Sequence, residues 1–331
     1  MTGTVAVIGG GAWGTALACA ARRAGSNVRL WARSADSANA IANGTNPSRL
    51  PGIALQGDIL AGSNLKACTA GADALILAVP AQVLRVVARD LAPLLTDNVP
   101  VAIAAKGIER ESLKRMTEVL AEECPMARAC VLSGPNFAGE VAKGLPAAVT
   151  LAADDGTVSE AIQTLIASGS LRAYLSDDPV GVEVCGAVKN VIAVAAGIST
   201  GRGLGENARA ALVSRGLAEM MRLVTALGGK AETVMGLAGA GDLILTAMSA
   251  TSRNTSFGIA IGEGRSVQSV LAGRKAVTEG YWTTGAVTRL AADAGIEMPI
   301  ATAVDAILSG KIDVDEAARM LMERPATSEI W

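Results

Sequence analysis

The stretch that decides the fold is Thr4-Val5-Ala6-Val7-Ile8-Gly9-Gly10-Gly11-Ala12-Trp13-Gly14-Thr15-Ala16-Leu17-Ala18. It opens with a short apolar run, which is typical of a strand buried in a parallel sheet. The run leads into Gly9-x-Gly11-x-x-Gly14 and then into an alanine-rich helical pattern. Gly9 permits a tight turn, Gly11 lets a ligand approach the backbone, and Gly14 lets the helix pack close to the strand. Because the helix N-terminus offers free N–H groups to an anion, this order predicts a dinucleotide pyrophosphate site. The alternative is a glycine-rich turn that merely joins two packed elements.

Length and composition limit the number of domains, the make-up of the core and the class of partner. The 331 residues suffice for about two domains. Hydrophobic residues make up 50% of the chain and aromatic residues only 2%, so a large core must be built of alanine, valine, leucine and isoleucine. With a net charge of −2 and no basic stripe, the sequence argues against a nucleic-acid partner.

The chain contains no histidine, which excludes several classes of enzyme. Ser-His-Asp hydrolases, zinc sites with histidine ligands and dehydrogenases with a histidine acid–base all require that residue. A proton donor in this chain must therefore be a lysine, aspartate, glutamate, tyrosine or cysteine. We expect no metal site.

The cysteines indicate a reducing compartment. They form no C-x-x-C pair and no disulfide spacing, and they are Cys19, Cys68, Cys124, Cys130 and Cys185. This usage is typical of reduced thiols in a cytoplasmic protein. We expect neither a signal peptide nor a membrane-spanning segment, since no basic residue precedes the first apolar run and no uncharged run is long enough.

Secondary-structure patterns divide the chain into two parts. Buried strands alternate with helical patterns up to residue 176, and from 179 onward only helical patterns occur. This predicts an α/β, Rossmann-type, doubly wound and mostly parallel sheet over residues 1–178 and an all-α domain for substrate binding and catalysis over 179–331. The polar stretch 37–62 predicts a helix followed by a loop. At the boundary Asp178 suits an N-cap and Pro179 the first helical position.

The end of the second predicted strand bears on the cofactor. NAD-specific sites carry an acid there, whereas this chain has Arg33-Ser34. An arginine suits a 2′-phosphate, so Arg33 predicts NADPH as the preferred cofactor, with NADH as a second one. The alternative is a solvated arginine in a loop.

Two lysines stand where chemistry is expected. Lys106 follows the strand at 101–105, at the carboxyl edge of the sheet where open α/β folds bind ligands. Lys189 lies in a helix that is apolar on all sides, and burial there would lower the pKa of its ammonium. The alternatives are a solvated strand end for Lys106 and a snorkelling side chain for Lys189.

Glycine-rich and polar stretches interrupt the helical patterns of the second part. Residues 197–205 predict a flexible glycine-rich loop, and the polar stretch 251–254 predicts a loop suited to an anion. Asp242 looks like an N-cap or a polar group aimed at the same site as Lys189.

Several motifs taken together resemble the bacterial NAD(P)-dependent glycerol-3-phosphate dehydrogenase family, over essentially the whole chain. They are Gly9-Gly10-Gly11-Ala12-Trp13-Gly14-Thr15-Ala16-Leu17, Ala104-Ala105-Lys106-Gly107, Ser133-Gly134-Pro135-Asn136-Phe137-Ala138, Val188-Lys189-Asn190-Val191, Gly239-Ala240-Gly241-Asp242-Leu243 and Ser252-Arg253-Asn254. One departure is Ala12, where some members carry a serine.

The resemblance implies reversible hydride transfer between NAD(P)H and dihydroxyacetone phosphate, giving sn-glycerol 3-phosphate for glycerophospholipid synthesis. It implies that Lys189 is the catalytic acid–base. The residues implied to line the substrate are Lys106, Gly134, Asn136, Lys189, Asp242, Ser252, Arg253 and Asn254. Those implied to line the cofactor are Gly9, Gly11, Trp13, Gly14, Arg33, Lys106, Ala138, Arg253, Val277 and Glu279.

Two other functions stay open on the sequence alone. A related two-domain hydroxyacid reductase would share the glycine turn and the helical part, but would not need a phosphate on its substrate. A dinucleotide sensor without catalysis would leave Lys106 and Lys189 without a purpose. The sequence also leaves open whether the chain is a monomer or a homodimer.

Overall fold

The structure, a computed structural model, describes residues 3–274 and 278–325. Ten strands lie in its first half: β1 (Thr4–Ile8), β2 (Asn27–Trp31), β3 (Thr45–Asn46), β4 (Leu50–Ala54), β5 (Ile59–Gly62), β6 (Ala74–Leu77), β7 (Pro100–Ile103), β8 (Arg128–Ser133), β9 (Ala147–Ala152) and β10 (Leu171–Ser176). Eight of them form one sheet in the order β10-β9-β8-β7-β6-β1-β2-β5, and β3 and β4 form a separate hairpin.

The large sheet is parallel except for the β8–β9 pair. From β1 the chain builds outward to β2 and β5 on one side and then to β6 and β7 on the other. The order thus reverses beside β1, and ligands of open α/β sheets bind at such a switch point, outside the carboxyl ends of the strands. The predicted fold class is confirmed, with the glycine turn directly at that point.

Helices flank the sheet and build the second half. Those among the strands are α1 (Ala12–Arg23), α2 (Ala35–Ala42), α3 (Leu65–Thr69), α4 (Leu84–Leu91), α5 (Met116–Glu123), α6 (Ala138–Lys143) and α7 (Gly156–Ile166). Those that follow are α8 (Pro179–Gly201), α9 (Gly205–Ala226), α10 (Ala231–Val234), α11 (Asp242–Met248), α12 (Arg253–Gly262), α13 (Val267–Ala272), α14 (Glu279–Asp293), α15 (Pro299–Leu308) and α16 (Val314–Met322). A π-helical turn, Leu237–Gly241, leads directly into α11.

Helix α8 is the axis of the second half, with α9, α11, α12, α14 and α15 packed around it. Nearly all of its residues are buried, as its all-round apolar pattern predicts. As predicted, Asp178 caps its N-terminus and Pro179 begins it. By length and composition it is the one described helix that could cross a membrane on its own, yet its apolar window is buried inside the protein, as in core helices.

The predicted loop at 197–205 is wrong over residues 197–201, which continue α8. The glycines serve packing rather than flexibility. A Cβ at Gly197 would lie 2.2 Å from the Thr255 carbonyl oxygen, and one at Gly258 would lie 2.2 Å from the Val194 oxygen. Helices α8 and α12 therefore cross backbone against backbone, which only glycine permits.

The predicted loop before residue 62 is also wrong in part. After α2 the chain forms the β3–β4 hairpin and then β5, an edge strand parallel to β2. Strand β5 has four residues and leaves Leu60 69% exposed. Its apolar residues, Ile59 to Ala61, are too few to predict a strand by themselves, and its pairing with β2 comes from tertiary contact.

Candidate active site

The glycine turn has the backbone that a dinucleotide needs. Gly9 adopts φ 130°, a conformation that favours glycine. A Cβ at Gly14 would lie 2.0 Å from the Gly9 oxygen, so α1 packs directly on the turn. A Cβ at Gly11 would meet no atom within 4 Å, because the backbone there borders open space at the N-terminus of α1. This geometry fits a bound pyrophosphate.

Two side chains complete the surroundings of the turn. The indole Nε1 of Trp13 is buried and has no hydrogen-bond partner among the described residues, so a ligand atom can accept from it. Asn46, on the β3–β4 hairpin, donates from Nδ2 to the Gly10 oxygen at 3.2 Å and to Thr15 Oγ1 at 2.9 Å. The hairpin thereby fixes the outer side of the turn.

Arg33 lies close to this turn. The Gly9 N–H donates to the Trp31 oxygen at 2.9 Å, which joins the turn to the end of β2. Arg33 follows two residues later and is exposed. Arg33 is therefore an exposed cation near the carboxyl end of β2.

Two lysines and an aspartate converge at the carboxyl edge of the sheet. Asp242 Oδ2 lies 2.6 Å from Lys106 Nζ, and its Oδ1 lies 3.1 Å from Lys189 Nζ. Lys106 Nζ also donates to the Gly134 oxygen at 3.1 Å. Lys189 Nζ donates to Thr246 Oγ1 at 2.9 Å, and Thr246 donates to Asp242 Oδ1 at 3.2 Å. One carboxylate thus holds both ammonium groups in a fixed arrangement.

Burial and neighbouring charges tune this cluster. Burial, the largest effect, lowers the pKa of Lys189 to about 8, with Asp242 opposing that change and Lys106 adding to it. Burial alone would raise the pKa of Asp242, but Lys106 and Lys189 together keep it below its usual value. The repulsion from Lys106 thus lowers the pKa of Lys189 further, by less than burial does.

Asp242 is a partner of the lysines and not an N-cap. It follows the π-helical turn, and no side-chain cap bond is made at the start of α11. A Cβ at Gly239 would lie 2.1 Å from the Val234 oxygen, which shows how tightly this turn folds onto α10. The compact turn brings the carboxylate up to the lysines.

A chain of amide hydrogen bonds joins four elements behind the lysines. Asn190 Nδ2 donates to the Lys106 oxygen at 3.3 Å and to the Gly186 oxygen at 3.2 Å. Asn254 Nδ2 donates to Asn190 Oδ1 at 2.7 Å, and Asn254 Oδ1 accepts from the Gly280 N–H at 3.0 Å. Among the described residues, one of the two Nδ2 hydrogens of Asn254 has a partner, so the other can meet a ligand.

The polar stretch 251–254 is a helix start rather than a loop. The Ser252 hydroxyl accepts from the Thr255 N–H as the N-cap of α12, and Arg253 is its first residue. Arg253 is exposed beside Glu279. Burial raises the pKa of Glu279 to about 7, while Arg253 opposes that change, and Glu279 Oε2 is a buried atom without a hydrogen-bond partner among the described residues.

The turn after β8 supplies further polar groups. Asn136 donates from Nδ2 to the Ala148 oxygen at 2.7 Å, and its Oδ1 is buried without a partner in the described part of the chain. The hydroxyl of Ser133, on β8, is likewise buried and unpartnered there. Ala138 begins α6. Val277, also expected at the cofactor, lies outside the described residues.

Sequence reasoning missed three residues of this site, namely Asn46, Asn190 and Thr246. Thr246 lies four residues after Asp242, and that spacing puts both side chains on one face of α11, a signal available beforehand. Asn190 follows Lys189, but its role emerges only from its contacts. Asn46 lies in the stretch predicted as a loop.

Comparisons with known proteins agree with this geometry. The family model described as the NAD-dependent glycerol-3-phosphate dehydrogenase N-terminus matches residues 4–159, and the model of the C-terminus matches residues 178–319. The chain belongs to this family. Its members are NAD(P)-dependent oxidoreductases, so the resemblance read from the motifs is confirmed.

Individual relatives cover nearly the whole chain. A protein of Rhodospirillum rubrum named glycerol-3-phosphate dehydrogenase [NAD(P)+] is 51% identical, over 98% of this chain and 93% of its own length. A crystal structure of glycerol-3-phosphate dehydrogenase from Coxiella burnetii has a TM-score of 0.93 at 39% identity and covers 98% of this chain and 99% of that one. A ketopantoate reductase from Ralstonia eutropha has a TM-score of 0.61 at 18% identity, covering 95% of this chain and 99% of that one, a likeness of fold alone.

Proposed function

We propose that the chain reduces dihydroxyacetone phosphate to sn-glycerol 3-phosphate reversibly, with NADPH as the preferred cofactor and NADH as a second one. The observation that carries the proposal is the buried Lys106–Asp242–Lys189 cluster at the carboxyl edge of the sheet. It faces the same edge as the glycine turn, so proton transfer and hydride transfer can meet on one carbonyl.

The residues divide the chemistry between them. A bound nicotinamide supplies the hydride. The Lys189 ammonium stabilises the negative charge that develops on the carbonyl oxygen and then donates its proton. With a pKa of about 8, Lys189 is mostly protonated at neutral pH and still acidic enough to give the proton up. Asp242 and Thr246 orient the ammonium, and Lys106 adds a second positive charge.

The substrate phosphate needs a site away from the reacting carbon. Arg253 at the first position of α12 offers a guanidinium and a helix N-terminus together. Asn254 contributes its remaining N–H. Gly134, Asn136 and Ser252 complete the proposed substrate surroundings.

The cofactor would lie across the switch point. The turn Gly9–Gly14 with Trp13 would hold the pyrophosphate, and Arg33 the 2′-phosphate. Ala138, Arg253 and Glu279 would border the nicotinamide end, together with Lys106. This arrangement rests on the open space at Gly11 and on the unpartnered Trp13 Nε1.

One assay separates this function from its alternatives. The purified chain is given NADPH with dihydroxyacetone phosphate, with unphosphorylated dihydroxyacetone, or with a 2-oxo acid, and NADPH oxidation is followed. We expect turnover with the phosphorylated ketone only. A preference for the oxo acid would indicate the hydroxyacid reductase, and NADPH binding without turnover on any ketone would indicate a sensor.

The cellular setting is part of the proposal. All five cysteines are buried and free, which suits a cytoplasmic enzyme whose product feeds glycerophospholipid synthesis.

We divide the chain into a dinucleotide-binding domain, 1–178, and a substrate-binding and catalytic domain, 179–331. Solution mass measurement distinguishes a monomer from the homodimer that we include as the alternative.

A further inference from the structure

We propose that Asp178 is a positioning residue that keeps Asp242 in register with the two lysines, an inference that rests on the proposed function. Asp178 is 4% exposed. Its Oδ1 accepts from the Gly181 N–H at 2.8 Å, and its Oδ2 accepts from the Lys230 N–H at 2.9 Å and from Thr233 Oγ1 at 2.5 Å. One carboxylate therefore caps α8 and also holds the start of α10.

The junction around Asp178 is tightly packed. A Cβ at Gly181 would lie 2.1 Å from Asp178 Oδ2 and 3.1 Å from Thr233 Cβ. A Cβ at Gly229 would lie 2.9 Å from the Gly181 nitrogen. The backbone before α10 thus lies directly on the first turn of α8.

A compact segment connects this junction to the catalytic cluster. From Lys230 the chain forms α10 and the π-helical turn and then reaches Asp242. The turn is folded onto α10 at Gly239, and the Gly241 N–H donates to the Gly236 oxygen at 3.1 Å. We call residues 230–242 the connecting segment. Between Lys230 and Asp242 only Gly236 has an extended backbone, and the other residues lie in helical turns, so little chain is available to absorb a movement of its start.

The connecting segment is attached to α8 at both of its ends. Asp178 holds the beginning at the N-terminus of α8, and Lys189, on the same helix, pairs with Asp242 at the other end. A single rigid helix therefore sets the distance between the two attachments. Loss of the first attachment would leave the segment held by its packing on α8 and α9 and by the pairs of Asp242 with Lys106 and Lys189.

This arrangement has a consequence that a purely structural role would lack. Among the described residues, the charged groups that act on Lys189 are Asp242 on α11, Lys106 after β7 and Arg253 on α12, and of these Asp242 raises its pKa. If Asp242 moves away, the two cations and burial remain. The pKa of Lys189 then falls, and the pH profile of kcat moves to lower pH.

The test compares Asp178→Ala and Asp178→Asn with two matched controls. Asp177→Asn alters the neighbouring exposed carboxylate, which pairs with Lys230 Nζ at 2.7 Å. Asp313→Ala removes the N-cap of α16, because Asp313 Oδ1 accepts from the Glu316 N–H at 2.8 Å. Asp313 is far from the cluster in sequence. For each folded variant, kcat, both KM values, the pH profile of kcat and Tm are measured with NADPH and dihydroxyacetone phosphate.

We expect Asp178→Ala to lower kcat about ten- to a hundredfold, as misplacement of a catalytic group does, and to move the kcat profile to lower pH with the KM for NADPH unchanged. The controls should keep the wild-type kcat and pH profile, although Asp313→Ala lowers Tm. A folded Asp178→Ala with the wild-type kcat and profile overturns the inference.

A milder variant covers the case in which Asp178→Ala and Asp178→Asn do not fold. Thr233→Val removes only the hydroxyl that donates to Asp178 Oδ2. It should shift kcat and the pH profile in the same direction by less, and an unchanged profile contradicts the inference. A wild-type chain without turnover on dihydroxyacetone phosphate would instead contradict the proposed function.

Discussion

The Lys189 ammonium and the Asp242 carboxylate lie 3.1 Å apart, with Lys189 9% exposed and Asp242 3% exposed at their side chains. The carboxylate offsets much of the cost of burying an ammonium, and burial still leaves the lysine more acidic than in water. In the proposed mechanism this ion pair keeps Lys189 charged at neutral pH and leaves it acidic enough to release a proton.

Removal of the proposed acid should stop the chemistry and spare cofactor binding. Lys189→Ala is expected to lower kcat by about 10²–10⁴-fold, the usual worth of a general acid. NADPH affinity, measured by fluorescence titration, should stay near the wild-type value. Lys311→Ala, at an exposed lysine after α15, is the matched control and should keep full activity. Near-normal kcat in Lys189→Ala would show that another group donates the proton.

The pH dependence of turnover should report the Lys189 proton. In ketone reduction the ammonium form is the active one, so kcat should fall as pH rises through about 8. In the oxidation of glycerol 3-phosphate the neutral amine is needed, and kcat should rise through the same range. Asp242→Asn should move both profiles to lower pH, because Asp242 raises the pKa of Lys189. An unchanged pH profile in Asp242→Asn would show that Asp242 does not affect the pKa of the group that controls turnover.

Loss of the Arg253 guanidinium should weaken substrate binding. A charge-assisted hydrogen bond is worth roughly 1.5–3 kcal/mol, so Arg253→Ala should raise the KM for dihydroxyacetone phosphate about ten- to a hundredfold. Unphosphorylated dihydroxyacetone serves as the internal control, since it should be a poor substrate for wild type and variant alike. If the wild-type enzyme were equally active on both ketones, the proposal that Arg253 binds the substrate phosphate would be wrong.

The cofactor preference should depend on Arg33. Its guanidinium favours a 2′-phosphate, whereas an acid repels that group and accepts the ribose hydroxyls instead. Arg33→Asp should therefore lower kcat/KM for NADPH. Because the lost charge-assisted hydrogen bond is worth roughly 1.5–3 kcal/mol, kcat/KM for NADH relative to that for NADPH should rise about ten- to a hundredfold. The measurement is kcat/KM with each cofactor, and an unchanged ratio would mean that Arg33 faces solvent.

The close crossing of α8 and α12 should be intolerant of a single methyl group. Gly197→Ala would bring a Cβ to 2.2 Å from the Thr255 carbonyl oxygen, and overpacking of this kind costs about 1–3 kcal/mol. Thermal unfolding should show a clear fall in Tm. In Gly156→Ala, at the first position of α7, the new Cβ meets nothing within 4 Å, so Tm should stay near wild type. Equal Tm values for the two variants would contradict the crossing described here.

Local patterns determined a large part of this protein. The run from Thr4 to Ala18 contains its own strand, turn and helix, because glycine conformation and helix starts depend on neighbouring residues. The same holds for the cap at Asp178 and for the all-apolar α8, whose pattern already marks Lys189 as buried. The mostly parallel sheet follows from several such apolar runs in order.

Tertiary structure alone decided how distant residues meet. Lys106, Lys189 and Asp242 come from three elements, and only packing around α8 brings one carboxylate within reach of both lysines. The glycines at 197 and 201 resemble a loop in sequence, yet they allow a helix crossing because a partner backbone lies against them. Strand β5 exists because β2 offers it an edge. The physical reason is the same throughout: local preferences depend on nearby residues, whereas ion pairs, close crossings and edge pairing depend on groups that the chain brings together only when folded.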